Sequence, residues 1–129
     1  MFVNFTFSDR QINNYFQSAK RDFLLASYKE AEIKFQFSYN CFLKLAQAVC
    51  ARKGLRVKSS SGHHAALFLK YAEIFKDDMS AAVAQAMRDK RNRDLYDGGI
   101  IISDKEAETY YQFVKKAMVK VENYLSLTK

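Results

Sequence analysis

RDKRNRDLYDGG, residues 88–99, mixes four cationic side chains with three aspartates and ends in a pair of glycines. An apolar helical pattern runs into this stretch from Ala81, and a glycine just past the last helical residue is a common left-handed helix stop. We therefore predict a fourth helix over Ala81–Tyr96 whose last turns carry the cations. The same composition also fits a solvent-exposed, well-capped helix end that has no functional role. The order Arg-Asn, three residues, Tyr-Asp within the stretch is what favours a functional site.

Two helices are expected near the start of the chain. Ser8-Asp9-Arg10-Gln11 fits a capping box and begins a first helix that ends near Ser27. After a short polar join within residues 28–34, a second helix with an apolar stripe runs to about Lys53. Gly54 can stop it.

The later helices have their own start signals. Ser61 is expected to cap a third helix, which is the most apolar of the set and which we expect to be central. Asp78 or Ser80 is expected to cap the fourth helix. Ser103 opens a second capping box and a fifth helix, after an apolar connector at residues 100–102 that should pack on the bundle.

These signals give an all-α fold. Five helices joined by short loops are typical of an antiparallel helical bundle, and 129 residues without proline suit one domain, residues 1–129. Residues 55–61 are predicted to be a polar, basic loop. Residues 1–7 alternate apolar and polar side chains, and fit either an extended segment laid over the bundle or a strand shared with another subunit.

Composition narrows the setting of the protein. A net charge of +7 permits attraction to nucleic acid or to an acidic partner. No apolar run is long enough to span a bilayer, and the N-terminus lacks the features of a signal peptide, so no membrane partner is expected. Cys41 and Cys50 cannot bridge within one helix, which predicts reduced thiols and a cytoplasmic location.

Polar residues of the fourth helix form one stripe. Arg88, Asn92 and Tyr96 follow one another at four-residue spacing and share a face, with Arg91 at its edge. Arginine is a bidentate phosphate ligand that stays charged at physiological pH. The stripe therefore predicts a polar groove able to bind phosphate.

The two histidines of the chain, His63 and His64, stand together at the start of the third helix. Adjacent helical residues point about 100° apart, and neither Cys-x-x-Cys nor His-x-x-x-His occurs, so no metal site and no cofactor are predicted. One alternative is that they bind an anion beside the free N–H groups of the helix start. The other is that one histidine packs beneath the loop while its neighbour is solvated.

Three stretches together resemble the HEPN family. The end of the fourth helix is similar to that family's Arg-(four to six residues)-His motif, with Tyr96 at the position of the histidine. The stretch Ser60-Ser61-Gly62-His63-His64-Ala65 resembles the Gly-His-His start of bacterial HEPN-like proteins that also end in Arg-Asn-x-x-x-Tyr-Asp. Residues 37–46, an aromatic-rich helix, resemble the family's second helix.

The resemblance implies a fold and an assembly. It implies an antiparallel four-helix up-and-down bundle with an additional fifth helix, and a homodimer in which two motif helices meet to form one RNA-cleaving cleft. The Ala-rich first half of the fourth helix suits such pairing, as residues 1–7 also could. Many such proteins act as the toxin of a toxin–antitoxin pair, with a nucleotidyltransferase-fold protein as the antitoxin.

The resemblance also implies site residues. The residues assigned to catalysis are Arg91, Asn92, Tyr96 and His64, and those assigned to RNA or nucleotide binding are Arg88, Arg91, Arg93, His63 and His64. A tyrosine has an ordinary pKa near ~10 and is a poor base at pH 7, so Tyr96 counts against metal-independent endoribonuclease activity. A histidine could take its role if the third helix starts beside the end of the fourth.

A second hypothesis is a non-catalytic helical module for protein–protein interaction. Its support is the 15% aromatic content and the apolar N-terminal segment. Whether Arg91 and Asn92 converge with the histidines in one cleft separates the two hypotheses.

Overall fold

The first helix, α1 (Asp9–Leu25), begins where the capping box predicts. The Ser8 hydroxyl oxygen accepts from the Gln11 backbone N–H at 3.1 Å, and the Ser8 N–H donates to the Gln11 side chain at 2.8 Å. Two of the N–H groups that a helix start leaves unpaired are thereby satisfied. This computed structural model describes residues 1–58, 62–96, 98 and 101–128, with the side chains of 94–96 outside the description.

Helix α2 (Ala31–Arg52) is the centre of the fold. It packs against α1 and against the last helix of the chain, and it also contacts the third helix. Its buried side chains point in most directions around its axis, as expected of a helix enclosed on most sides. The expectation that the third helix is central is therefore wrong.

A small two-stranded sheet adds to the five predicted helices. Strand β1 (Phe2–Asn4) pairs antiparallel with β2 (Leu55–Val57), with Phe2 opposite Val57. Gly54 turns the chain from α2 into β2 with φ +73°, and its carbonyl accepts from the Phe5 N–H at 2.9 Å. Residues 1–7 thus include a strand that pairs with another strand of its own chain. That second strand occupies part of residues 55–61, which were predicted to be a loop.

Helix α3 (His63–Phe75) follows Gly62, which is its N-cap at φ +84°. Ser61, the predicted cap, lies outside the described residues. Helix α4 (Asp78–Tyr96) is capped by Asp77, whose carboxylate accepts from the Ser80 N–H at 3.2 Å. The predicted caps, Asp78 and Ser80, are instead inside the helix, because Lys76 at φ +53° ends α3 and the chain re-enters a helix at once.

Helix α5 (Asp104–Leu127) starts as predicted, with the Ser103 hydroxyl accepting from the Glu106 N–H at 3.0 Å. The connector before it was expected to pack on the bundle. Ile102 does pack against the core, but Ile101 is 78% exposed, so the expectation is wrong for Ile101. Ile100 lies outside the described residues.

The five helices are not equally enclosed. One core cluster draws buried residues from each of them. In the described part of the chain, α4 packs mainly on α3, and a groove separates its first half from α5. The protein is thus mostly helical, with a small two-stranded sheet at one end. No helix among the described residues combines the length and apolar character that a membrane crossing requires.

Candidate functional site

Side chains from three helices meet where α3 begins. The Tyr39 hydroxyl of α2 lies 3.0 Å from Nδ1 of His64 on α3. The Arg91 guanidinium of α4 lies 5.1 Å from the centroid of the Tyr39 ring. We call these three residues the Tyr39–His64–Arg91 cluster. Helix α3 therefore does start beside the second half of α4, the arrangement on which a role for a histidine depends.

The buried ring of Tyr39 fixes the position of the cluster. Tyr39 is only 1% exposed and packs edge-on against Phe68 at a centroid distance of 5.7 Å. Phe68 in turn stacks on Phe42 at 5.2 Å in the middle of the core. A buried phenol needs a hydrogen-bond partner for its hydroxyl, and His64 supplies it. The aromatic core thus holds one polar group at the edge of the site.

His64 is electrically neutral at physiological pH. Burial is the largest influence on it, and together with the charges of His63, Arg91 and Arg88 it lowers the pKa of His64 to about 4. A neutral imidazole has one donating and one accepting nitrogen. It can accept a proton at pH 7, although a pKa this low makes it a weak base.

Tyr39 keeps its proton at physiological pH. Burial raises the pKa of its hydroxyl, while the nearby charges of Arg91 and Arg88 oppose that rise. A protonated Tyr39 can donate to Nδ1 of the neutral His64, which leaves the imidazole proton on Nε2. In the other tautomer, Nδ1–H donates to the Tyr39 oxygen and Nε2 is free to accept, so the contact fixes the ring orientation of His64 in either case.

The arginines create a positive potential around the cluster. Arg88 and Arg91 are three residues apart and neighbours on the surface of α4, and both act on the pKa of Tyr39 and of His64. Each guanidinium can bind a phosphate oxygen pair in a fork. A neutral histidine beside two permanently charged arginines is suited to anion binding. None of these three groups has to change its protonation state before the anion binds.

The two histidines contact each other. Their ring centroids lie 4.4 Å apart in an edge-to-face arrangement, and both residues are half-buried. The alternative in which one histidine packs beneath the loop while the other is solvated stays a prediction, because loop residues 59–61 lie outside the described residues. Gly62, with its left-handed backbone, lets the chain turn directly into the pair.

The other predicted site residues do not all join the cluster. Asn92 is half-buried, and among the described residues its side chain makes no hydrogen bond to Tyr39, His64 or Arg91. Arg93 is exposed, and its charge acts on the pKa of Tyr110 in α5, which burial raises. The Tyr96 side chain lies outside the description. Arg91 and Arg88 thus converge with the histidines, whereas Arg93 does not.

Tyr39 is the site residue that sequence reasoning missed. It falls in the apolar stripe of α2, where a phenylalanine would serve the core equally well. A tyrosine at such a position signals a hydroxyl with a partner, but the sequence does not say which partner.

Metal and thiol chemistry find little support in the described residues. No group of three or more His, Cys, Asp or Glu side chains within them could hold a metal ion. Cys41 and Cys50 are free and buried, and burial raises the pKa of the Cys50 thiol to about 12 and that of Cys41 further still. Thiols with such a high pKa are poor nucleophiles at pH 7.

Comparison with protein families, with curated proteins and with solved structures finds no match for this chain.

Proposed function

We propose that the protein is HEPN-like and binds the phosphates of RNA or of a nucleotide at the Tyr39–His64–Arg91 cluster. The observation that carries this proposal is the approach of Arg91 to Tyr39 and His64, with Arg88 close enough to influence both. Arg91 and Arg88 bind phosphate, and His63 and His64 line the other side of the site. Asn92 and Tyr96 complete it by hydrogen bonds or base stacking.

In this proposal, the ribonuclease activity of the protein is weak or has been lost. Cleavage uses the tautomer of His64 in which Nδ1–H donates to the Tyr39 oxygen, because the free Nε2 can then accept a proton from a ribose hydroxyl as a general base. A bound phosphate raises the pKa of a neighbouring histidine because it stabilises the charged imidazolium. His64 therefore becomes a better base only once the anion is present, and no metal is required.

The family resemblance extends the proposal to the fold and the assembly. The arrangement is an antiparallel four-helix bundle with a fifth helix, and α2 lies between α1, α3 and α5 in agreement with it. The dimer forms through α4, on which Ala82 and Ala86 are exposed one turn apart. Ala84 of the same Ala-rich half is buried in the protein's own core and does not contribute.

The partner and the location are also part of the proposal. The protein is the toxin-like member of a pair whose antitoxin has a nucleotidyltransferase fold. A cytoplasmic location fits the two free, buried thiols, since an oxidising compartment favours disulfides.

The test is binding and cleavage of a mixed RNA pool by the purified protein. Fluorescence anisotropy measures binding, and denaturing gels measure cleavage, for wild type and Arg91→Ala. The matched control is Arg93→Ala, the same change on the same helix at a residue that does not reach His64. If wild type binds neither RNA nor nucleotides, the proposal fails.

A second candidate function is a non-catalytic interaction module. It is favoured by the groove between α4 and α5 and by the exposed apolar side chains of Met79 and Val119 on it. Absence of RNA binding combined with stable binding of a protein would favour this candidate.

A further inference from the structure

An open groove of about 900 Å³ runs between the first half of α4 and the length of α5. Its apolar lining includes Tyr71, Val83, Phe113 and Ala117. Tyr71 and Ala117 are buried there, while Val83 and Phe113 are half-buried. The groove thus exposes part of the core along the side where α4 and α5 do not pack on each other.

Large apolar side chains also line the groove at its outer edges. Met79 on α4 is 75% exposed and Val119 on α5 is 60% exposed. Methionine is flexible and adapts its shape to a bound apolar surface. An apolar lining with exposed apolar edges is the usual form of a groove that receives the apolar face of a helix.

The charges on the groove are unbalanced. The two acidic residues that line it are already paired, Asp77 with Lys120 at 3.0 Å and Glu108 with Lys34 at 3.5 Å. Lys105 and Lys116 also line the groove, and neither side chain has an ion-pair or hydrogen-bond partner among the described residues.

The spacing of the two lysines defines a length. They are separated by about three turns of α5, which sets them roughly 16 Å apart along the axis and within about 20° of each other around it. They therefore flank the same face of the helix at two ends of the groove. A ligand helix lying along α5 would need acidic groups at a similar separation to pair with both.

We propose that this groove binds an acidic amphipathic helix of another protein. Its apolar face packs between Met79 and Val119, and its carboxylates pair with Lys105 and Lys116. A second copy of this chain is a poorer occupant, because its net charge of +7 would be brought against an already cationic rim. The proposal does not depend on the Tyr39–His64–Arg91 cluster, since Met79 and Arg88 lie about 180° apart around α4.

The test is selection from a displayed library of amphipathic peptides about 16 residues long, with a fixed leucine stripe. Two flanking positions, about three turns apart, are randomised among Glu, Lys and Gln. Selection is performed on purified wild type and on the double variant Lys105→Glu/Lys116→Glu. The control for charge reversal outside the groove is the single change Lys115→Glu, and Met79→Glu is compared with Leu69→Glu, a change at an exposed apolar residue outside the groove.

We expect selection on the wild-type protein to enrich peptides with Glu at both flanking positions. The selected peptide should bind the double lysine variant about tenfold more weakly, because two favourable rim contacts become repulsive. Binding should be unchanged in Lys115→Glu and Leu69→Glu and should be lost in Met79→Glu. Circular dichroism and RNA binding of Met79→Glu should match wild type.

The proposal is overturned if no residue type is enriched at the two flanking positions, or if Lys or Gln is enriched there. It is also overturned if the selected peptide binds the double lysine variant as tightly as it binds wild type. A wild-type dimer that becomes a monomer in Met79→Glu but stays a dimer in Ala86→Glu, by light scattering, would assign the groove to a second copy instead. Lysine-dependent binding to phosphatidylglycerol vesicles, with no peptide selected, would assign it to a lipid surface.

Discussion

Replacement of Arg91 by alanine should weaken RNA binding without unfolding the protein. The guanidinium lies 5.1 Å from the Tyr39 ring centroid and is close enough to influence His64, so it is held in place before a ligand arrives. A hydrogen bond to a charged group is worth about 1.5–3 kcal/mol. Its loss corresponds to roughly a 10- to 150-fold rise in Kd.

The salt dependence of binding gives a second measure of the same contact. For single-stranded nucleic acid, each neutralised phosphate contributes about 0.7 to the slope of log K against log salt concentration. Arg91→Ala should therefore lower that slope by about 0.7, while Arg91→Lys should retain it and bind with intermediate affinity. Fluorescence anisotropy of a labelled RNA pool at several salt concentrations measures both quantities.

The fold should tolerate this change. Arg91 contributes a cation–π contact of about 0.5–1 kcal/mol to stability, which is small beside the stability of an ordinary domain. Arg93→Ala should retain wild-type affinity, because Arg93 acts on Tyr110 and not on His64. The reasoning is refuted if Arg91→Ala binds as wild type does, or if both alanine variants lose affinity equally.

Three further predictions concern stability, chemistry and assembly. Hydrogen bonds from Ser80 and Lys120 lower the pKa of Asp77 to about 2. Asp77 therefore stabilises the fold above the unfolded pKa near ~3.9, and this contribution is lost as pH falls towards 2. Asp77→Ala should cost about 1 kcal/mol in urea unfolding at pH 7, with a smaller difference at pH 3. Tyr96→His should raise RNA cleavage on gels by supplying a group that titrates near neutrality, while Tyr96→Phe should change binding less than Arg91→Ala does. Ala86→Glu should convert a wild-type dimer into a monomer by light scattering, because it adds a charge to the proposed interface.

Each of these has a contradicting outcome. An Asp77→Ala difference that is constant from pH 7 to pH 3 would mean that its carboxylate is not the source of the stability. If Tyr96→His cleaves RNA no faster than wild type, this chain does not use the mechanism that the resemblance implies. A wild-type protein that is monomeric at micromolar concentration would remove the proposed dimer.

The helix starts could be read from the sequence because they depend on contacts a few residues apart. Ser8 and Ser103 both accept from a backbone N–H three residues later, as their capping boxes predict. The cap of α4 was misread because Lys76 adopts a left-handed conformation that is uncommon for a residue other than glycine. That geometry moves the cap to Asp77, a residue type that suits an N-cap but that the sequence does not distinguish from Asp78.

Contacts between distant parts of the chain were harder to predict. Strand β1 pairs with β2 across all of α1 and α2, and the alternation in residues 1–7 was the local sign of the first strand. The central position of α2 also escaped prediction. Its small buried residues, among them Ser38 and Ala48, do not follow one stripe, so the usual amphipathic pattern is weak.

The candidate site was predicted in part. Arg91, Arg88 and the histidines were proposed from the order of motifs, and the structure brings them near each other because α3 begins beside the second half of α4. Tyr39 could not be assigned to the site from sequence, since its role depends on how three helices pack. Arg93 has the right chemistry, but its position on α4 directs its charge towards Tyr110 of α5.

The most direct test of the phosphate site is an NMR titration of the His64 imidazole in free protein and with saturating single-stranded RNA. The free protein should show a pKa of about 4, and bound RNA should raise it because the phosphate stabilises the imidazolium. In Arg91→Ala the rise should require more RNA. A His64 pKa that RNA leaves unchanged, in a protein that binds RNA, would show that the phosphate lies elsewhere and would contradict the proposed site.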